Sequence, residues 1–265
     1  MRQTPTPPIH VPDILDIARR AGDEIMRIYE TTEVLVLHKE DDSPLTAADL
    51  ASHRHIVREL GRRTPAIPVV SEEDSGSQRH RRPEDEFWLI DPLDGTREFI
   101  ARNGEFTVNI ALIRQGRPCF GVVYAPALRQ MYWGGAEFGA WRARDDGAAE
   151  SIRVETRNAP GAPLRVVASK SHLNGDTQAF IECLGSVTLV QAGSSLKFCK
   201  VAEGSADIYP RLAPTCEWDT AAAQAVLEGA GGVVVDRSGI PLRYGKAETL
   251  NPPFVAAHSI AIIPT

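Results

Sequence analysis

Cysteine is sparse in this 265-residue chain, and the four that occur (Cys119, Cys183, Cys199, Cys216) form no C-x-x-C pair. Separations of 64, 16 and 17 positions exclude a zinc ribbon or a dithiol redox centre, both of which need tight spacing. Scattered thiols in a chain this long read as small buried hydrophobes in a reducing cytosol, so a cytoplasmic protein is expected. No stretch approaches the roughly 18 apolar residues that span a bilayer, so no integral membrane segment is expected, while peripheral association stays open. Residues 1–12 hold four prolines and no continuous apolar run, which reads as neither signal peptide nor anchor. An excess of positive charge is missing too. The 29 Lys and Arg against 35 Asp and Glu leave a formal charge of −6, the wrong sign for a coat on a nucleic-acid polymer. Repeats and low-complexity tracts are lacking. What is present is 43% hydrophobic residues, enough to offset ordering entropy and so to exclude a disordered acidic chain. Oligomeric state leaves no mark in the sequence.

Periodicity orders the chain. Ile14, Ile17, Ala18, Ala21, Ile25 and Ile28 recur at helical spacing after Asp13, which predicts an amphipathic first helix. A strand is expected over 34–37. A second helix after Thr46 carries an apolar stripe of Leu50, His53, Val57 and Leu60. Buried strands follow at 67–70 and 87–90, and several strands with glycine turns fill 106–141. Beyond a polar, Gly/Ala/Pro-rich stretch at 144–163, strands (164–168, 187–190, 206–209, 232–235, 254–257) alternate with helices (175–184, 194–203, 219–229). The first half is thus α+β and the second α/β-like. Residues 1–145 and 146–265 read as two coupled halves of one unit.

The chemistry concentrates in Trp88-Leu89-Ile90-Asp91-Pro92-Leu93-Asp94-Gly95-Thr96. An apolar strand delivers Asp91, Pro92 fixes the backbone, and Gly95 lets the chain fold back without a Cβ clash. Two carboxylates on such a turn can converge, and they repel unless cations lie between them. The Leu93 carbonyl adds a hard oxygen of the kind Mg²⁺ takes. Ser71-Glu72-Glu73-Asp74 and Trp218-Asp219-Thr220 offer further carboxylates. Each element also has a structural reading: Asp-Pro-x-Asp-Gly is a good turn former, Asp219 a good helix N-cap, and Glu72 to Asp74 an ordinary acidic loop.

The intact Asp91-Pro92-Leu93-Asp94-Gly95-Thr96 string, with Glu72 upstream and Trp218-Asp219 downstream, resembles the signature of the inositol monophosphatase superfamily over nearly the whole chain. The resemblance implies a layered αβαβα sandwich of the inositol monophosphatase and fructose-1,6-bisphosphatase type, and Mg²⁺-dependent, lithium-sensitive phosphatase activity. It also implies Glu72, Asp91, the Leu93 carbonyl, Asp94 and Asp219 as ligands for two or three Mg²⁺ ions. Thr46-Ala47-Ala48-Asp49 and Thr96 match the pair that activates water in the bisphosphate nucleotidase branch. Asp49, Thr96 and Glu72 are therefore the candidate catalytic residues. Thr46-x-x-Asp49 is equally a capping-box start for the second helix; a cap would leave one carboxylate oxygen for catalysis.

Gly193-Ser194-Ser195-Leu196-Lys197 opens a helix with two hydroxyls and an ammonium, an arrangement suited to an anion. Tyr209-Pro210-Arg211 adds a guanidinium, and Ser169-Lys170-Ser171-His172 follows another strand. Their plain alternative is surface salt bridging or, for His172, a satisfied loop histidine. These runs, with Arg102-Asn103-Gly104-Glu105-Phe106-Thr107-Val108-Asn109, are similar to CysQ-type 3′(2′),5′-bisphosphate nucleotidases, which remove the 3′-phosphate of adenosine 3′,5′-bisphosphate, a by-product of sulfate activation. Inositol phosphatases, by resemblance, carry a carboxylate where Arg211 stands. Lys170 stands where the family has Arg, which puts a bidentate contact there in doubt. The resemblance implies Gly95, Thr96, His172, Ser194, Lys197 and Arg211 as substrate contacts for a phosphorylated nucleotide.

The expected mechanism has one Mg²⁺ acidify a water that Thr96 and Asp49 orient and deprotonate. A second, on Asp91, Asp94 and Asp219, stabilises the departing 3′-oxygen. Whether the 5′-phosphosulfate form is also taken is open, and no adenine pocket is legible. Two alternatives stand: an inositol or sugar phosphate phosphatase of the same fold, and a non-catalytic nucleotide- or metal-sensing protein. Arg79-His80-Arg81-Arg82, followed by Glu84-Asp85-Glu86, reads as a self-neutralising solvated loop, and Trp88 and Trp218 as core.

Overall fold

Helix α1 (Val11–Tyr29) buries Ile14, Ile17, Ala18, Ala21 and Ile25, the stripe its sequence spacing requires. The computed structural model describes residues 9–31, 36–38, 44–145, 147–155, 162–168 and 174–264. Strands β1 (Val36–His38) and β2 (Pro44–Thr46) form a small antiparallel pair; residues 34–35 of the strand expected there lie outside the described residues. Helix α2 (Ala47–Arg63) packs on α1 but only partly on the expected stripe: Leu50, His53 and Val57 are only half-buried, and Ala48, Asp49, Ser52, His55, Ile56 and Leu60 face inward. The buried face is polar at its N-terminal end, so of the expected stripe only Leu60 is fully buried, with Val57 packed partly against the core.

The next elements are β3 (Val69–Ser71), β4 (Glu86–Asp94), α3 (Thr96–Ile100), β5 (Thr107–Arg114), β6 (Arg117–Ala125), β7 (Gln130–Gly135), β8 (Gly139–Arg144) and β9 (Glu150–Ile152). These strands form a seven-stranded sheet in chain order, antiparallel except for the parallel β3–β4 pair. The change of sheet falls between Ile152 and Leu164, within the polar 144–163 stretch. A short 3₁₀ helix (Ser75–His80) and α3 were not expected from the sequence.

The remaining elements are β10 (Leu164–Ala168), α4 (Gly175–Cys183), β11 (Val187–Gln191), α5 (Leu196–Ala202), β12 (Ile208–Arg211), α6 (Glu217–Gly229), β13 (Val233–Asp236) and β14 (Phe254–Ala257). Their strands make a five-stranded sheet in the order β11-β10-β12-β14-β13. Pro210 sits inside a central strand, where a missing N–H would break a ladder. It is tolerated because β12 pairs with β10 only at Val166–Ile208 and thereafter with β14 alone. That parting of neighbours opens a crevice at the end of β12, where Arg211 lies.

Side-chain alternation sets the layers. Trp88 and Ile90 of β4 pack toward α1 and α2, whereas Phe87 and Leu89 pack toward α5 and α6. A strand buried on both faces reads as a continuous apolar run, as 87–90 does. Ile181 of α4 closes the far face of the second sheet with Val166, Ile208 and Val255. The result is the αβαβα sandwich, with α5 and α6 between the sheets. No described helix is long and apolar enough to cross a membrane.

Candidate metal centre and active site

Residues three apart on an unbroken strand point to opposite faces, so Asp91 and Asp94 could not serve one site from a regular β4. The pairing with β5 resolves this. Asp91 stands opposite Asn109 and Asp94 opposite Thr107, one extra residue on β4, and such a bulge re-aims side chains. The expected strand thus runs through the expected turn. Pro92 has no N–H to lose, and its carbonyl accepts from Ser52 Oγ of α2 at 2.7 Å. The Leu93 N–H donates to Asp91 Oδ1 at 3.0 Å, fixing the first carboxylate. The chain leaves through Gly95 at φ 90°, the left-handed region that glycine enters without a Cβ clash.

Glu72 follows β3, and Asp219 lies in the first turn of α6. A carboxylate oxygen from each of Glu72, Asp91 and Asp219 lies within 4.8 Å of the others. α6 can come this close because a Cβ on Gly121 of β6 would sit 2.2 Å from the Ala222 carbonyl oxygen. Asp219 is not the N-cap expected from its position. Cys216 is, and Asp219 closes the capping box by accepting from the Cys216 N–H at 2.7 Å.

Burial, then the charges of Glu72, Asp94 and Asp219, push the Asp91 carboxyl well above the usual range. Desolvation, with Asp94 and Glu72, does the same to Asp219. A set of hard oxygen donors that repel one another fits a divalent cation such as Mg²⁺; the thiolates and imidazoles that favour zinc do not belong to it. Asp94 stands just outside this set. Its Oδ2 accepts from Ser194 Oγ at 2.5 Å and Ser195 Oγ at 2.9 Å. The Leu93 carbonyl lies 3.4 Å from Thr96 Oγ1.

Both readings of Asp49 hold geometrically. Oδ2 closes the capping box, accepting from the Thr46 N–H at 2.8 Å and Oγ1 at 2.6 Å. Oδ1 accepts from Thr96 Oγ1 at 3.3 Å, which ties α2 to the first residue of α3 beside the carboxylates.

A cavity of about 350 Å³ joins these groups to the second half: Glu72, Asp94, Gly95, Thr96 and Asp219 line one side, and Ser194, Lys197, Tyr209 and Arg211 the other. Lys197 is 7% exposed and lies 5.6 Å from the Tyr209 ring centre. Burial lowers its pKa, opposed by the charge of Asp94. Arg211 Nη2 donates to the Pro214 carbonyl at 3.1 Å, and its Nε is buried without a hydrogen-bond partner. α5 begins at Leu196, and the Ser194 and Ser195 hydroxyls face Asp94 rather than the helix end. His172 lies outside the described residues, as do Ser169, Lys170 and Ser171.

Three residues with a part in this site escaped sequence reasoning. Ser52 grips the Pro92 carbonyl. Asn109, on β5, donates to Ser195 Oγ at 2.8 Å; the signal was a polar residue interrupting an apolar strand. Glu217, fully buried beside Asp219, accepts from Arg81 Nη1 at 3.1 Å, from Lys246 Nζ at 2.5 Å and from the N–H groups of Gly245 and Lys246. Arg81 is therefore no solvated loop residue, with a side chain only 6% exposed. Trp88 is core, as expected, and Trp218 is half-buried and packs against the core.

The family model described as the inositol monophosphatase family matches residues 13–261. The chain is 48% identical over 243 residues to the 3′(2′),5′-bisphosphate nucleotidase CysQ of Salmonella typhimurium, covering 91% of this chain and 96% of that protein. The same figures hold for CysQ of Escherichia coli K12. In structure it is similar to CysQ of Bacteroides thetaiotaomicron, with a TM-score of 0.82 and 41% identity over 94% of this chain and 97% of that one.

Proposed function

The chain belongs to the inositol monophosphatase family, and from that premise we propose that it removes the 3′-phosphate of adenosine 3′,5′-bisphosphate, yielding AMP and phosphate, with Mg²⁺ as cofactor. It is a phosphatase of the 3′(2′),5′-bisphosphate nucleotidase type. The observation that carries the choice of substrate is the pairing of two cationic side chains, Lys197 and Arg211, with the carboxylate cluster in one cavity. A substrate with a reacting phosphate at the carboxylates and a second phosphate at the cations satisfies both ends.

Glu72, Asp91, Asp94, Asp219 and the Leu93 carbonyl would hold two or three Mg²⁺. Bound there, Mg²⁺ supplies Lewis-acid polarisation of the phosphoryl group and lowers the pKa of water. The chain's own part is positioning and proton transfer. Thr96 Oγ1 donates to Asp49 Oδ1, which leaves its lone pairs to accept from an attacking water. As the water oxygen bonds to phosphorus and the bond to the 3′-oxygen breaks, the water proton passes through Thr96 to Asp49, and the departing 3′-oxygen takes a proton from solvent to become the 3′-hydroxyl of AMP. Asp49 is held for this by Thr46. Lys197 gives an ammonium already stripped of water to the second phosphate, and the unpartnered Arg211 Nε supplies a directed donor. His172, which the resemblance implies as a further substrate contact, lies outside the described residues. The four free thiols support a cytoplasmic location, and the similarity to CysQ nucleotidases supports a place in nucleotide recycling during sulfur assimilation.

Arg211→Ala tests the choice. Loss of a charged hydrogen bond, about 1.5–3 kcal/mol, raises KM for adenosine 3′,5′-bisphosphate by roughly 10- to 150-fold and leaves 3′-AMP, which lacks the second phosphate, unaffected. Equal loss on both substrates overturns the second-phosphate reading.

A further inference from the structure

Asn109 and Ser195, each 1% exposed, connect groups that the chain otherwise keeps far apart. Asn109 Nδ2 donates to Ser195 Oγ at 2.8 Å and lies 3.4 Å from Asp94 Oδ2. Thr107 Oγ1 lies 3.1 Å from Asn109 Oδ1 and 2.5 Å from Ser194 Oγ and shares its one proton between them, while the two acceptors that Nδ2 reaches set which way the amide faces. Ser195 Oγ, having accepted from Asn109, directs its proton at Asp94 Oδ2 (2.9 Å) and the Asp219 main-chain carbonyl (2.8 Å). One hydroxyl therefore spans a carboxylate at the end of β4 and the backbone of a carboxylate residue in α6. The same serine immediately precedes α5, two residues before Lys197.

Resting on the nucleotidase reading above, we propose that Asn109 and Ser195 are positioning residues. They hold Asp94 and Asp219 in register for Mg²⁺ and couple Mg²⁺ binding to binding of the substrate's non-reacting phosphate at Lys197. The physical reason is that the three elements share one buried hydroxyl. A cation that orders Asp94 and Asp219 fixes the two acceptors of Ser195, and thereby the start of α5. A phosphate that orders Lys197 fixes the same serine from the other side. Each ligand then meets a site the other has already ordered, and the coupling must be reciprocal. Removing the Ser195 hydroxyl deprives Asp94 and the Asp219 carbonyl of a donor and leaves the buried Asn109 amide without its acceptor. Removing the Asn109 amide lets the hydroxyl turn away. The pair acts in series, so the two losses overlap rather than add.

The test is calorimetric titration of Mg²⁺ into metal-stripped full-length protein, without nucleotide, for the wild type, Asn109→Ala, Ser195→Ala and the double variant. Groups that orient metal ligands change affinity by about 10–100-fold. The expected result is a Mg²⁺ Kd at least tenfold weaker in each single variant, little further weakened in the double, and restored by Ser195→Thr, which keeps the hydroxyl. Variants that melt earlier but bind Mg²⁺ as the wild type does would show a merely structural role and overturn the proposal. In a second arm, AMP is titrated with and without saturating Mg²⁺. Mg²⁺ tightens AMP binding to the wild type by about fivefold or more, and the ratio falls to near one in the variants. A ratio unchanged in the variants overturns the coupling. Wild-type protein that fails to bind AMP at all refutes the nucleotidase reading instead, while the Mg²⁺ arm decides the positioning role by itself.

Discussion

Replacing Glu217 by glutamine is expected to unsettle the metal centre without touching a proposed ligand. The carboxylate is fully buried and binds Arg81, Lys246 and two main-chain N–H groups. Glutamine keeps the size and one acceptor but removes the charge. Lys246, 30% exposed, can turn to water, so its loss contributes at most about 1 kcal/mol. Arg81 cannot, because its side chain is 6% exposed. It keeps the Lys246 and Ala247 carbonyls, at 2.6 and 3.3 Å, and Gln78 Oε1, at 2.9 Å from its Nε. Breaking a buried pair by neutralising one partner costs about 3–5 kcal/mol, and the retained carbonyls place this case near 3–4. At about 2–4 °C per kcal/mol for a chain of this size, the melting temperature falls by roughly 6–16 °C. Asp219 lies two residues along the same helix turn, so the half-saturating Mg²⁺ concentration rises as well. Thermal melts followed by circular dichroism, with the exposed Glu84→Gln as control, provide the assay. A Glu217→Gln melt within about 2 °C of wild type, near the ±0.5 kcal/mol of a plain surface change, would refute the reasoning.

Asp49→Asn is expected to lower kcat by about 10²- to 10⁴-fold with half-saturating Mg²⁺ unchanged, read from phosphate release against Mg²⁺; a parallel loss of Mg²⁺ affinity would make Asp49 a ligand instead. Metal-free stability should fall as pH rises. Asp91 and Asp219 are held above their ordinary value of 3.8, so above that pH the unfolded chain releases protons that the folded chain retains, and folding is penalised until the folded carboxyls ionise. Mg²⁺ offsets this repulsion. The gap in melting temperature between Mg²⁺ and EDTA is therefore wider at pH 8 than at pH 5, and an equal gap at both would contradict the assignment.

Much of this site was legible because its chemistry is local. Asp91 to Thr96 is one unbroken string, Glu72 follows an apolar strand and Asp219 opens a recognisably helical run. The layered αβαβα fold was implied by the resemblance, whereas the residue pattern alone reached an α+β first half, an α/β-like second half and the regular stripe of α1. What escaped the sequence depends on partners distant in the chain. Asp91 and Asp94 share a site through a bulge against Asn109 and Thr107, not through the turn that Pro92 and Gly95 suggest. Arg81 looked balanced by its acidic neighbours, yet its partner is Glu217, 136 positions away. The face of α2 was read only in part because Ser52 is buried for the Pro92 carbonyl rather than for the apolar core. Ser194 and Ser195 looked like an anion cradle, but their hydroxyls serve Asp94. In each case a polar residue is buried to satisfy another polar group, and apolar periodicity carries no trace of that.

The central claim is that a carboxylate-held metal and two cations select a nucleotide with two phosphates. It is tested most directly by phosphate release from adenosine 3′,5′-bisphosphate and from inositol 1-phosphate, side by side, with Mg²⁺ and with EDTA. The expected result is a kcat/KM on the order of a hundredfold or more higher for the bisphosphate, because the buried Lys197 ammonium and the Arg211 Nε would be left without a phosphate by the other substrate, and no release in EDTA. Comparable turnover of the two substrates, or release that survives EDTA, would contradict it.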